Sequence, residues 1–283
     1  MKNSIYVRIA NGTVWNGGRR MKSVLKYLGA KNRLAPWIVS FIPEHSVYLE
    51  PFFGSGAVFF NKPKCHIETI NDLHGEVVNY FKVLRDKSNE LIQVINNTPF
   101  SRLEYDLSYT ENENDTDIER ARKFCIRCWQ GFGCANLYHN GFKSGQQTSS
   151  PNPARGWDML ADTLGEAAKR LKGTQIECLN ANELIKRYDT KDVFIYCDPP
   201  YLISTRKQYL YKHEMSDKEH LELLALLLEH KGKVLLSGYD NDLYNQMLEG
   251  WHKEYKSTTA EQGLKRTEVL WMNYSPHNQL KLF

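Results

Sequence analysis

The chain of 283 residues is long enough for one large domain or two smaller ones, and its 41% hydrophobic and 25% charged residues are ordinary for a globular protein. No stretch approaches the roughly 18 consecutive apolar residues of a membrane span, and the N-terminus lacks an apolar signal core, so a cytoplasmic protein is expected. A net charge of +4 permits a polyanionic partner without demanding one, and six cysteines without a secretion signal read as reduced thiols.

The first twenty residues, MKNSIYVRIANGTVWNGGRR, alternate apolar positions weakly and are followed at once by a second methionine, Met21. Gly17-Gly18-Arg19-Arg20 can be encoded by purine-rich codons resembling a ribosome-binding site. Residues 1–20 are therefore expected to be a dispensable extension; the competing reading is an added edge strand. KYLGAK (26–31) then offers Tyr27 and Lys31, which can cover an adenosyl-type ligand with Lys31 near its carboxylate, although singly such residues are more often solvated surface.

SVYLEPFFGSGAVFFN (46–61) reads as a short apolar strand, a glycine turn and a run able to open a helix. HIETIND (66–72) is a second strand ending in an acidic residue, and LHGEVVNYFKVLRD (73–86) has helical spacing through Val77, Tyr80, Phe81 and Leu84. Together they form a parallel βαβ pattern. Gly54-x-Gly56 between strand and helix lets the backbone approach a ligand, but Phe59 stands where a dinucleotide fingerprint has its third glycine. Asp72 can accept hydrogen bonds from ribose hydroxyls; alone it would read as a helix N-cap.

From about 88 to 175 the apolar strands vanish. An acidic stretch (Glu111 to Asp117) leads into a segment where Ile118, Ala121, Phe124, Cys125 and Cys128 share one helical face. Cys125, Cys128, Cys134 and His139 have a spacing that zinc could use, but the helical periodicity favours core packing of the cysteines, and no metal is expected. The loop QGFGCANLYHNGFKSGQQTSSPNPARGW follows, rich in Gly, Asn, Ser and Pro, and loops of this length are usually functional or disordered. The region reads as a mainly helical insert.

The strand pattern then returns. DVFIYCDPPY is a strand with its turn, Ser216-Asp217-Lys218-Glu219 a capping box before HLELLALLLEH, and Lys231-Gly232 a stop. KVLLSGY is the next strand, and TEVLWMNY the last, after a basic turn at Lys265-Arg266. The whole predicts a doubly wound, Rossmann-like α/β sheet.

Asp198, Pro199, Pro200 and Tyr201 form the most informative turn. An exocyclic amino group on a purine is a poor nucleophile because its lone pair is delocalised into the ring. Its methylation needs an acceptor for an amino hydrogen and a second acceptor beside it. Asp198 supplies a carboxylate, Pro199 a backbone carbonyl fixed by the two rigid prolines, and Tyr201 a ring for stacking. Such chemistry is positioning and electrostatics, and the base must first leave the duplex.

EPFFGSG, IYCDPPY, the leading KYLGAK and the late KRTEVLWMNY together resemble the Dam-type (class alpha) DNA adenine-N6 methyltransferases over about residues 24–86 and 176–274. The resemblance implies S-adenosylmethionine as cofactor, double-stranded DNA as partner and transfer to N6 of a flipped adenine. It implies cofactor contacts at Tyr27, Lys31, Asp72 and Asp198, with the backbone around Phe52, Gly54 and Gly56 as a cradle, and catalysis at Asp198, Pro199, Pro200 and Tyr201. It divides the chain into a methyltransferase domain (21–87 and 176–283) and a target-recognition domain (88–175).

Two positions depart from the family: Ala30 replaces the second glycine before the lysine, and Tyr27 stands where tryptophan is common. Candidate base-reading residues are Asn136, Tyr138, His139 and Asn140; candidate phosphate contacts are Lys143, Lys265 and Arg266. Rival readings are N4-cytosine methylation, an RNA target, an NAD-dependent oxidoreductase and a DNA-binding protein without turnover. A cognate restriction enzyme is a possible partner, and a monomer suffices for the activity, with a dimer left open.

Overall fold

The computed structural model describes residues 6–8, 14–16, 21–134, 138–145, 151–206, 209, 211–259 and 265–276. Strands β1 (Tyr6–Arg8) and β2 (Val14–Asn16) pair with each other as a separate antiparallel hairpin and do not extend the main sheet.

The main sheet has seven strands: β3 (Val47–Glu50), β4 (Ile67–Asn71), β5 (Gln175–Glu177), β6 (Val193–Cys197), β7 (Lys233–Tyr239), β8 (His252–Thr259) and β9 (Lys265–Met272). Their order is β5-β4-β3-β6-β7-β9-β8. The first five are parallel, while β9 runs antiparallel to both β7 and β8. The chain winds outward from β3 to β5, returns across the sheet to β6, and winds the other way. The switch falls between β3 and β6, where diverging connections leave a crevice over the carboxyl ends of the strands.

Alternation along each strand divides the interior into two cores. Tyr48, Phe194, Tyr196, Leu235 and Leu270 point to one face, where they meet α1 (Ala35–Val39) and α2 (Gly75–Asp86). Leu49, Ile195, Cys197, Leu236 and Trp271 point to the other, covered by α8 (Ala181–Arg187), α9 (Asp217–Glu229) and α10 (Asp242–Met247). Because β6 is covered on both faces, all five of its residues are buried, as its continuous apolar run requires. The capping box of α9 forms as the sequence predicts, Ser216 and Glu219 each satisfying the other's backbone N–H.

The connection from β4 to β5 carries α3 (Ser88–Asn96), α4 (Arg102–Leu107), α5 (Asp117–Gln130), α6 (Pro153–Asp158) and α7 (Leu160–Leu171) after α2. Helices α5 and α7 pack on α2 and α3, joining the first core. Cys125 and Cys128 lie fully buried on the inner face of α5, with the Cys125 thiol against the Tyr80 hydroxyl at 3.8 Å. Helical periodicity thus places these cysteines in the core.

Two local expectations need correction. No α-helix follows the glycine turn: Phe59–Asn61 makes a single 3-10 turn before β4. Phe59 and Phe60 are buried as a plug beneath the turn, and Pro63, without an N–H, lies just beyond it. Lys265 and Arg266 are not a turn but the first residues of β9, paired with Thr259 and Thr258. The polar lettering of the edge strand β8 concealed that pairing.

Candidate active site

At the switch point the ends of β3, β4 and β5 are tied together by one side chain. Asn71 Nδ2 donates to the carbonyls of Pro51 (2.9 Å) and Leu179 (3.0 Å), while its Oδ1 accepts from Leu179 N (2.8 Å). Phe53 N donates to the Asn71 carbonyl (2.8 Å), so the chain leaving β3 folds over the end of β4. Asp72 completes the turn: Oδ2 accepts from Gly54 N and Oδ1 from His74 N, both at 2.8 Å. Burial raises the Asp72 pKa, and these two N–H donors oppose the rise. Asp72 is not the helix N-cap, its alternative reading: His74 occupies that position, without a side-chain cap bond.

The glycines at this turn are sterically required. Gly56 has φ +66°, and a Cβ on it would stand 2.4 Å from Phe53 Cζ. Gly54 has φ +48° and faces the Tyr27 ring, with Cδ1 of the ring 3.4 Å from where its Cβ would be. Tyr27 therefore lies across the glycine turn, its hydroxyl 3.1 Å from His74 Nδ1.

At the end of β6, Asp198 Oδ1 accepts from the Ser237 hydroxyl on β7 (2.7 Å) and Oδ2 pairs with the Lys31 ammonium (3.0 Å). Lys31 also donates to the Gly29 carbonyl (3.0 Å) and lies 3.8 Å from Glu268. Burial opposes the charge on Lys31, yet the carboxylates of Asp198 and Glu268 hold its pKa above the ordinary lysine value. The Tyr201 hydroxyl donates to Glu268 Oε1, its ring packs edge-on to Tyr239 (centroids 4.7 Å apart), and the Lys31 ammonium stands 4.7 Å from its ring centroid. Pro199 is buried and Pro200 half-buried.

A cavity of about 370 Å³ joins these two groups, reaching from Tyr27 and Gly54 past Asp72 to Asp198 and Pro200. Glu50, the last residue of β3, also lines it. Burial, with the nearby charge of Asp198, pushes the Glu50 carboxyl up to about 8, even though the Tyr48 hydroxyl donates to it at 2.7 Å. The far wall is Leu179 and Asn180 after β5, and Tyr211 after β6 closes over Gly29.

The structure therefore brings together Tyr27, Lys31, Phe52, Gly54, Asp72, Asp198 and Pro200 around one cavity, with Tyr201 beside it and Gly56 supporting the turn. Sequence reasoning did not assign Glu50, Ser237 or Glu268. Glu50 and Glu268 lie inside the motifs EPFFGSG and KRTEVLWMNY, which was the available signal. Ser237, Asn180 and Tyr211 arrive from other strands and loops, and nothing local marks them.

The candidate DNA-contacting loop folds back on itself. Gly131 bridges Phe142 in antiparallel fashion, Phe132 N donates to Gly141 O, and Lys143 N donates to Gln130 O, both at 2.8 Å. The Tyr105 and Tyr109 hydroxyls donate to the carbonyls of Asn140 (2.6 Å) and Tyr138 (3.3 Å). The Tyr138 side chain is 65% exposed, whereas His139 pairs with Asp106 (2.9 Å) and packs on Tyr109. Lys143 is half-buried; Asn136 and the side chains of Cys134 and Lys265 lie outside the described residues. The Arg266 guanidinium sits 5.5 Å from the Tyr239 ring, on which Tyr201 also packs.

Sheet order and reversed β9 define a Rossmann-like α/β fold whose cavity lies over the ends of β3 and β6. The chain belongs to the D12 class N6 adenine-specific DNA methyltransferases, whose family model matches residues 27–262. It is thus an enzyme that methylates adenine in DNA. The type II methyltransferase M1.LlaDCHI of Lactococcus lactis is 26% identical, over 90% of this chain and 96% of the relative. M.MjaIII of Methanocaldococcus jannaschii is 25% identical over 90% and 99%, and the DNA adenine methylase of Vibrio cholerae 24% identical over 92% and 98%. Among the described residues no helix is long and apolar enough to cross a membrane.

Proposed function

We propose that the cavity holds S-adenosylmethionine and that Asp198, Pro199, Pro200 and Tyr201 present a flipped adenine to it. The observation that carries this reading is the position of Asp198. It lies at the end of β6, at the cavity's edge, with one oxygen held by Ser237 and the other by Lys31. A carboxylate fixed in this way is preorganised as an acceptor.

The donor set fits the cofactor. An adenosyl moiety offers hydroxyls and a flat ring, a methionyl moiety an ammonium and a carboxylate. Against these the cavity sets the half-buried carboxylate of Asp72, the Tyr27 ring, the glycine turn and the Lys31 ammonium. When bound, S-adenosylmethionine supplies an electrophilic methyl group on a sulfonium. The Asp198 carboxylate and the Pro199 carbonyl accept the two N6 hydrogens, which turns the nitrogen lone pair out of the base plane. Tyr201 stacks on the base, its hydroxyl restrained by Glu268. Asp198 is also the base nearest the proton that N6 releases.

The helical region between residues 88 and 175 is proposed to select the target sequence, with the loop closed by Gly131 and Phe142 reaching the bases through Asn136, Tyr138, His139 or Asn140. Lys143, Lys265 and Arg266 are proposed phosphate contacts. Residues 1–20 are proposed to be dispensable, and the enzyme to act in the cytoplasm as a monomer. A restriction enzyme sharing its site is the proposed partner, since two of the relatives are type II methyltransferases.

Calorimetry with S-adenosylhomocysteine tests the cofactor assignment. Saturable binding to the wild-type chain that weakens roughly 10-fold or more in Asp72→Ala is expected, since the variant loses the carboxylate and loosens the glycine turn. No binding to a folded wild-type chain would contradict it.

A further inference from the structure

Glu268 is a carboxylate 3% exposed on β9, a strand covered by both cores. Such a group is costly to bury, and in a merely structural position an apolar residue would serve better. Its two partners explain it. The register places Glu268 directly opposite Tyr239, whose ring packs on Tyr201. From there Oε1 accepts the Tyr201 hydroxyl and faces the Lys31 ammonium at 3.8 Å.

We infer that Glu268 is a positioning residue for methyl transfer, acting through Tyr201 and Lys31. By holding the phenol it fixes the plane on which the base stacks. By sharing the Lys31 ammonium it gives that cation a second carboxylate to occupy, so that Asp198 Oδ2 is open to the N6 amino group when the base enters. Lys31 lies between the two acceptors, 3.0 Å from Asp198 and 3.8 Å from Glu268, so the exchange needs only a small movement of a flexible side chain. The inference rests on the proposed role of Asp198 and Tyr201 at the reacting centre.

Steady-state methylation of genomic DNA free of N6-methyladenine, with radiolabelled S-adenosylmethionine, tests it. Glu268→Ala is expected to lower kcat roughly 10- to 100-fold while leaving the cofactor KM and S-adenosylhomocysteine affinity within about 2-fold. Glu268→Gln should recover part of the loss, because its amide oxygen still accepts from Tyr201. Tyr201→Phe should lower kcat, and combining it with Glu268→Ala should cost less than the product of the single effects, because both remove one contact.

Glu268→Gln and Tyr201→Phe preserve shape and report on the contact even where Glu268→Ala does not fold. Wild-type kcat in Glu268→Gln and Glu268→Ala beside an inactive Asp198→Ala would overturn the inference and leave the active-site reading intact. Wild-type kcat in Asp198→Ala as well would overturn that reading itself. A loss in Glu268→Gln that falls on cofactor affinity and melting temperature together, or single effects that multiply in the double variant, would make Glu268 structural and overturn the inference.

Discussion

The end of the sheet and the loop spanning residues 131–142 solve different problems with different materials. At the sheet end the polar groups project from strand termini and are gripped by fixed partners: Asn71 by three backbone groups, Asp72 by two amides, Asp198 by Ser237 and Lys31. The loop instead leaves Phe132 and Tyr138 exposed at 69% and 65%, and its backbone leans on the hydroxyls of Tyr105 and Tyr109. The proposed chemistry tolerates little displacement of an acceptor, and the sheet end is where the core defines position. The proposed contact with bases suits a surface loop on a fixed helical base. Arg127 of α5 joins the two regions, donating to the Ser108 carbonyl (2.5 Å) beside Tyr109 and pairing with Glu76 at the start of α2.

If this contrast holds, substitutions at the gripped acceptors and glycines of the sheet end should damage turnover or folding, and those at the proposed DNA contacts should change DNA binding alone. The largest effect is expected from Asp198→Ala, with methyl transfer falling by roughly 1,000-fold or more in single-turnover assays and little change in melting temperature. Gly56→Ala should destabilise the chain by about 1–3 kcal/mol in urea unfolding, because a Cβ would collide with Phe53 at an unfavourable φ.

Glu50 gives a pH test. Its folded pKa, about 8, lies above its unfolded value, so the native state holds the extra proton between them. Its stabilising contribution is full below the unfolded pKa and is lost as pH rises through about 8. Unfolding measured at pH 6 and pH 9 should show a fall in stability at the higher pH that is smaller in Glu50→Gln. The smallest effect is expected at Arg266: its alanine variant should weaken binding to all DNA sequences alike and lower the salt slope by about 1, with cofactor affinity unchanged. A salt slope equal to wild type would remove Arg266 from the phosphate contacts.

What could be read from sequence follows the same division. The place of Asp198 and Pro200 at the cavity was legible because their turn ends an unbroken apolar strand, and that of Gly54 with Asp72 because strand-ending residues keep a fixed relation to their strands. Glu268 was visible within a motif but not in its function, since its partners Tyr201 and Lys31 meet it only through the sheet register. The helix expected after Gly56 failed because a buried apolar run such as Ala57 to Phe60 looks alike in a helix and in a plug. Lys265 and Arg266 were misplaced because β8, reading HKEYKSTT, carries no apolar run to announce a partner strand. The loop's contacts to Tyr105 and Tyr109 were illegible for want of any periodicity linking them.

The most direct test of the account is modified-base sequencing of DNA from cells expressing the wild-type chain or Asp198→Ala, in a host without adenine methylation. N6-methyladenine confined to one short sequence in the wild type and absent from the variant is the predicted result. The same methylation in both, with Asp198→Ala folded and expressed, would contradict the placement of the reacting centre at the end of β6.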